Sequence, residues 1–434
     1  MLQVPKKNCT FVFLYSMKKT AVILLAAALA AACSGPAATD FPPLLRTVPS
    51  RSICVAHFRH AKDALPLLLD SSHVFRRLDL GRLSDAGMVL SYDFSSTLVP
   101  LLALDAGHSR GDTSDASMGV LERAAALGLR SAYVVDTAAK RAGILLSPSS
   151  AAVAEALLHI GAGTSVLDAP DFTAAAALCS GDGSVIIRNS GAGRLVPAGF
   201  LEEAAPRRAL VKFLSGACEW TVVNFPSASR KDLQIKTVGD YPSNWLHIFS
   251  GSRGEGRSKL AAILPDSCSL VLSVPLADAS AFYSARCAWL DANSQLQRHK
   301  RACGELAKLS GMAPADWLAA AAPQEIARIG WDGRSVLAVR CRRAPGLKAM
   351  ESNPYEHFTG VLFGDAFSLP DESVRASLGS WLVIGSSDDV SSFMALEGRK
   401  APAGFGRGGT RFTVYSPGLL LSGSAGGIQL NLNE

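Results

Sequence analysis

Hydrophobic and polar positions alternate or cluster in short runs along most of this chain, and the runs predict a mixed fold of strands and helices. Ser52–Phe58, Met88–Phe94 and Leu98–Leu104 read as strands, the last two as a hairpin around Ser95 and Ser96. Met118–Leu127 has helical spacing, and Gly128 follows it where a left-handed backbone closes a helix. Ala132–Val135 and Gly143–Leu146 are strands, and Ser149 or Ser150 then caps a helix through His159. Phe172–Leu178 and most of 200–214 are predicted helices, and Ser184–Arg188 a strand. Trp220–Phe225, Leu233–Val238 and Trp245–Ser250 read as consecutive strands. In the second of these, Leu233, Ile235 and Thr237 face one way and Gln234 and Lys236 the other.

The pattern then starts again. Cys268–Val274 is a strand and Asp278 opens a helix, as Ser52–Phe58 precedes the helical run Ala61–Asp70. Trp381–Ile384, the serines at 386 and 387, and Val390–Leu396 repeat the strand, cap and helix of Ile144–Leu158. The expectation is α+β: two diverged tandem modules of mixed or antiparallel sheet packed with helices, at 49–255 and 256–434. Between them, Ser250–Lys259 is rich in Gly, Ser and charge and reads as a linker or long hairpin tip. Phe282, Ala285, Trp289, Ala292, Leu296, His299, Cys303 and Leu306 form a seam spaced three and four apart, which predicts one long helix. Were it straight, Cys287 and Cys303 would lie about 24 Å apart at 1.5 Å per residue, beyond bridging distance.

The N-terminus changes the picture most. Met17-Lys18-Lys19 is followed by apolar Ala21–Ala32 and then Cys33. A basic start, a short apolar run and small residues before a cut describe a signal peptide, and about 20 apolar residues would be needed to span a bilayer. Ala31 and Ala32 directly before Cys33 resemble a bacterial lipobox, although Ala30 stands where such motifs more often carry Leu. Residues 1–32 are therefore expected to be removed, with Met17 the true start. Cys33 is expected to carry lipid, and 33–48 to form a tether before folded sequence from Pro49. Several acyl chains on one thiol anchor firmly, because each buried methylene adds about 0.8 kcal/mol.

Removal of that segment also removes four of the 43 Lys and Arg and none of the 37 Asp and Glu, leaving 39 against 37, a formal net of +2. So weak a balance gives no reason to expect nucleic acid as a partner. Beyond Cys33 there are seven cysteines, at 54, 179, 218, 268, 287, 303 and 341. Being odd in number and without a CxxC, they read as small buried hydrophobes, although an extracytoplasmic compartment permits one or two bridges.

Two stretches carry a family resemblance. Leu158–Arg188 (LHIGAGTSVLDAPDFTAAAALCSGDGSVIIR) and Asp316–Ala327 (DWLAAAAPQEIA), together with the lipobox, resemble a family of uncharacterised lipoproteins of Gram-negative gut-type bacteria with a domain of unknown function. The resemblance spreads over about 49–400, is specific only in those stretches, and implies relatives that continue past residue 434. It implies a repeated α+β fold in the cell envelope and no activity.

Candidate chemistry is sparse. His57 and His60 are a close histidine pair but lack the glutamate of HExxH, so no metal is expected. There is no GxSxG elbow, and Gly423–Gly427 reads as a hairpin tip. The glycine-rich runs at 251–259 and 404–409 lack the ending or the context of a phosphate or dinucleotide loop, so no cofactor is expected. Glu202-Glu203, Asp371-Glu372 and Asp388-Asp389 are assigned to helix starts. Trp245, near Tyr241, is the one tryptophan free of an evident core position and so open to sugar stacking. Ile428, Leu430 and Leu432 alternate with Gln429, Asn431 and Asn433 at the chain end. An open edge there could accept a strand from a protein partner. The sequence thus favours an envelope lipoprotein that binds a partner or acts as a scaffold, without catalytic, cofactor or metal residues. The alternative is an envelope hydrolase with a dispersed Ser/His or carboxylate site.

Overall fold

The computed structural model describes residues 43–62, 75, 78–94, 98–108, 115–136, 141–180, 183–195, 211–212, 215–225, 232–239, 241–251, 258–342, 358–396, 405, 410–416, 419–424 and 427–432. The chain forms two compact units that part between Gly239 and Asp240. That point precedes the 255/256 boundary read from sequence. The reason is local: Trp245–Gly251, read as a strand, is a 3-10 turn whose Phe249 stacks on Phe282 of the second unit at 6.4 Å.

In the first unit the strands are β1 (Cys54–Phe58), β2 (Met88–Phe94), β3 (Leu98–His108), β4 (Arg130–Asp136), β5 (Arg141–Ser147), β6 (Gly183–Arg188), β7 (Trp220–Phe225) and β8 (Asp232–Val238). They are ordered β4-β5-β3-β2-β1-β6-β7-β8, every described pair antiparallel. Helices α1 (Asp115–Ala126), α2 (Ser150–Ala162) and α3 (Phe172–Ala176) lie in the crossovers. Side chains alternate across a strand, so both faces of this sheet are apolar. Val55, Val89, Leu101, Ala103, Leu145 and Ile186 point to one side, where they meet Val153 and Ala156 of α2 and Phe172 of α3. Ala56, Phe58, Met88, Leu90, Leu102, Leu104 and Ile144 are buried on the other.

The second unit contains β9 (Cys268–Pro275), β10 (Pro323–Trp331), β11 (Arg334–Cys341), β12 (Val374–Leu378), β13 (Trp381–Gly385), β14 (Thr410–Ser416), β15 (Leu419–Ser424) and β16 (Gly427–Leu432). Their order is β12-β13-β11-β10-β9-β14-β15-β16. Counting each unit from its own first strand, this is the same order as in the first unit, again antiparallel throughout the described pairs. The parallel extends to detail. Ser149 caps α2 by accepting from the Ala152 N–H, and Ser386 caps α8 (Ser387–Ala395) by accepting from the Asp389 N–H. Four residues after each serine stands a buried valine, Val153 or Val390. Seven after stands Ala156 or Phe393, both fully buried. A 3-10 turn ahead of each first strand also enters the core, with Leu44, Leu45 and Val48 in one unit and Leu260, Ile263 and Leu264 in the other. The fold is therefore α+β in two tandem modules of one topology.

Several expectations need correction. The tether read as 33–48 gives way to folded structure by Pro43, because Leu44, Leu45 and Val48 are buried core residues. The single long helix is a hairpin of two, α4 (Ala279–Ala292) and α5 (Leu296–Ser310), broken where Ser294 takes a φ of 58°. Asp371 and Glu372 do not open a helix; they precede β12, and Glu372 is buried. Asp388 and Asp389 do lie in the first turn of α8. The helical run after Ala61 and most of 200–214 lie largely outside the described residues, and Glu202-Glu203 lies wholly outside them.

Helices α6 (Pro314–Ala321) and α7 (Phe358–Phe363) complete the second unit. Trp317 of α6 stacks edge-on against Phe358 of α7, ring centroids 4.8 Å apart. The stretches that carry the family resemblance are framework. Ser165 and Asp168 form a capping box, Phe172 is wholly buried, and in the second stretch Trp317, Leu318, Glu325, Ile326 and Ala327 are all buried.

Candidate functional site

Cys33, the residue on which the anchoring expectation rests, lies outside the described residues. Ile428, Leu430 and Leu432 lie on β16, opposite Gly423, Leu421 and Leu419 of β15, and β16 ends the strand order of its own unit. The hairpin tip expected at Gly423–Gly427 is present, Ser424 pairing with Gly427.

His57 and His60 do not act together. His57 sits in β1 between Val89 and Ser184 of the neighbouring strands, while the Nδ1 of His60 meets the Asp85 carbonyl oxygen at 3.0 Å. Burial, then the charge of Arg59, pushes the pKa of His57 down to about 4. The folded state therefore holds it neutral, whereas the unfolded chain takes up a proton once pH falls below about 6.5. Stability from this group is present above that value and is lost as pH falls from about 6.5 towards about 4. Buried Glu372, whose pKa burial raises, acts in the opposite sense, so a variant is needed to isolate the histidine. His57→Gln is expected to flatten the decline of Tm over that window. An unchanged slope would assign the decline to other groups.

Two clusters bring reactive side chains together. The first is at the C-terminal end of α2. His159 meets Thr164 Oγ1 through Nδ1 at 2.8 Å and Glu155 through Nε2 at 3.4 Å. Glu155 is also paired with Arg51, which holds Asp93 at 2.5 Å. A hydroxyl, an imidazole and a carboxylate in series have the outline of a nucleophile with its base and orienting acid. Acyl transfer further needs N–H donors aimed at the developing oxyanion. Around Thr164 those donors are committed. The Gly163 N–H goes to the Ile160 carbonyl, that of Thr164 to His159, and that of Ser165 to the Asp168 carboxylate. The series reads as a helix-end clasp.

The second cluster is in the α4–α5 hairpin, where the break between the helices reverses the chain and brings distant residues side by side. The Tyr283 hydroxyl lies 3.0 Å from His299 Nε2 and 3.4 Å from Cys303 Sγ, and Cys303 Sγ is 3.3 Å from the same nitrogen. Cys287 lies one turn after Tyr283, on the same face of α4. Cys287 and Cys303, expected to be some 24 Å apart on a straight helix, thus share one neighbour. Burial, then Arg286, lowers the pKa of His299 to about 4, so the ring is neutral at ordinary pH. Burial raises that of Cys287. The seam of threes and fours identified this segment, but only the break at Ser294 assembles the cluster. Among the described residues no set of three or more His, Cys, Asp or Glu side chains is arranged to hold a metal ion.

Trp245, considered for sugar stacking, packs edge-on against Phe249 at 6.3 Å, while Tyr241 is exposed. No described helix is long and apolar enough to cross a membrane. Comparison with protein-family models, with curated proteins and with solved structures finds no match to this chain.

Proposed function

We propose that this chain is a cell-envelope lipoprotein, anchored through lipid on Cys33, that binds a partner or serves as a scaffold outside the cytoplasm. The observation that carries the reading is the order Lys18-Lys19, the apolar run Ala21–Ala32, and Cys33 directly after two alanines. Lipid transferred to that thiol would hold the rest of the chain at a membrane surface without a spanning helix. Two modules of one topology after such an anchor suit display of binding surface. The committed N–H groups around Thr164 weigh against the alternative, an envelope hydrolase.

The test is metabolic labelling with radioactive palmitate in a Gram-negative host. The full chain is expected to take up label and to sediment with membranes, and Cys33→Ala to do neither. An unlabelled full chain, or a variant labelled as strongly as the parent, would remove the proposal.

A further inference from the structure

The α4–α5 hairpin places two thiols in a setting that none of the other described cysteines shares. Cys54, Cys218, Cys268 and Cys341 are buried, and Cys179 belongs to the other unit. Cys287 and Cys303 are both part-exposed and lie on neighbouring antiparallel helices, and Tyr283, one turn before Cys287 on α4, holds the Cys303 sulfur at 3.4 Å. Cys303 in addition lies 3.3 Å from the Nε2 of a neutral imidazole, that of His299. A half-exposed thiol next to a base is the arrangement in which a cysteine reacts, whereas a buried thiol among apolar groups is inert.

We propose that Cys287 and Cys303 are a redox pair that closes reversibly into a disulfide between α4 and α5 by exchange with a disulfide donor. The Cys303 thiolate attacks one sulfur of the donor, breaks its S–S bond and releases one donor thiolate. The Cys287 thiolate then attacks the Cys303 sulfur of the mixed disulfide and releases the second. Two protein thiols are oxidised, one donor disulfide is reduced to two thiols, and the two protons pass from the cysteines to the released thiolates. Cys303 is placed to act first because His299 Nε2 stands 3.3 Å from its sulfur, while burial disfavours the thiolate of Cys287. Closure draws the sulfurs to about 2.05 Å, so the 3.4 Å contact between the Tyr283 hydroxyl and the Cys303 sulfur must rearrange. An oxidising compartment of the kind proposed above would supply donors, but the chemistry depends only on the hairpin.

The measurement uses the purified full chain with oxidised glutathione as the donor, followed by alkylation and tryptic digestion without reductant. Cleavage after Arg286, Arg298, Arg301 and Lys308 separates the two cysteines. The expected product is the peptide 287–298 joined to the peptide 302–308, lighter by two hydrogens than their sum and released by dithiothreitol. Cys287→Ser is expected instead to trap glutathione on Cys303. Separate glutathione adducts on both peptides of the parent chain, or both thiols still open to alkylation, would overturn the proposal. Because it needs no lipid, the result is independent of whether Cys33 is acylated.

Discussion

Replacing Arg286 with leucine is expected to destabilise the second unit by about 3–5 kcal/mol, among the largest effects of any single change in it. Arg286 is buried on α4 and serves the end of α7. Its Nη1 donates to the Val361 carbonyl at 2.6 Å and the Leu362 carbonyl at 3.5 Å, and its Nη2 to that of Gly360 at 3.2 Å. Those are final carbonyls of a six-residue helix. Gly360 also accepts from the Gly364 N–H, but a helix leaves its last four carbonyls without partners of its own. A cation there suits the negative end of the helix dipole as well. Leucine fills part of the volume and leaves buried acceptors without a donor, the costly form of a lost hydrogen bond. Lysine should recover only part of the loss, since a point charge cannot reach three carbonyls with the geometry of a planar fork. Urea unfolding of parent and variants gives the difference. A loss below about 1 kcal/mol would show that water replaces the guanidinium at no great penalty.

In the first unit, Trp220→Ala is expected to cost about 3–5 kcal/mol. The indole is fully buried in β7 and meets Phe172 edge-on, 5.1 Å between centroids. Its Nε1 donates to the Pro170 carbonyl at 2.7 Å, and the guanidinium of Arg188 lies 4.6 Å from the ring centre. The substitution removes the ring, opens a cavity against α3, and deprives a carbonyl of its donor. Trp220→Phe should separate these contributions by restoring most of the packing without the hydrogen bond, at a loss of about 1–3 kcal/mol. Limited proteolysis, scored by cleavage within 43–239, would locate the weakness. Equal resistance of Trp220→Ala and the parent would mean that the surrounding core closes over the gap.

How much of this was legible depends on the kind of signal. Capped helices were readable because a serine oxygen before an apolar run has a local function, as at Ser149 and Ser386. The repeat was readable for the same reason, since strand, cap and helix recur in sequence. The hairpin of β10 and β11 was missed because both of its faces are buried, and a strand buried on both sides does not alternate. Its turn was nevertheless marked by Asp332 and Gly333, whose φ values of 44° and 77° suit a tight hairpin and whose pairing is a strong short-range signal. The 3-10 turn at Trp245 mimics a strand, because apolar residues in a short run carry no period that separates the two. The thiol cluster was hidden by one residue. The seam runs through 292–296 with helical spacing, so nothing in it announces the left-handed Ser294. Fixing Cys287 and Cys303 at opposite ends of a rod followed from that omission.

Two modules with one strand order, joined in a single polypeptide, face a hazard during synthesis and refolding. A strand from either half can find the equivalent slot in the other, and backbone hydrogen bonds alone do not discriminate. Divergence of the interiors supplies the discrimination. Where α2 offers the methyl of Ala156 to its sheet, α8 offers the phenyl of Phe393, so an exchanged helix would leave a void in one half and a clash in the other. The drift between the copies thus acts as proofreading, keeping each half loyal to its own partners while the shared architecture is retained.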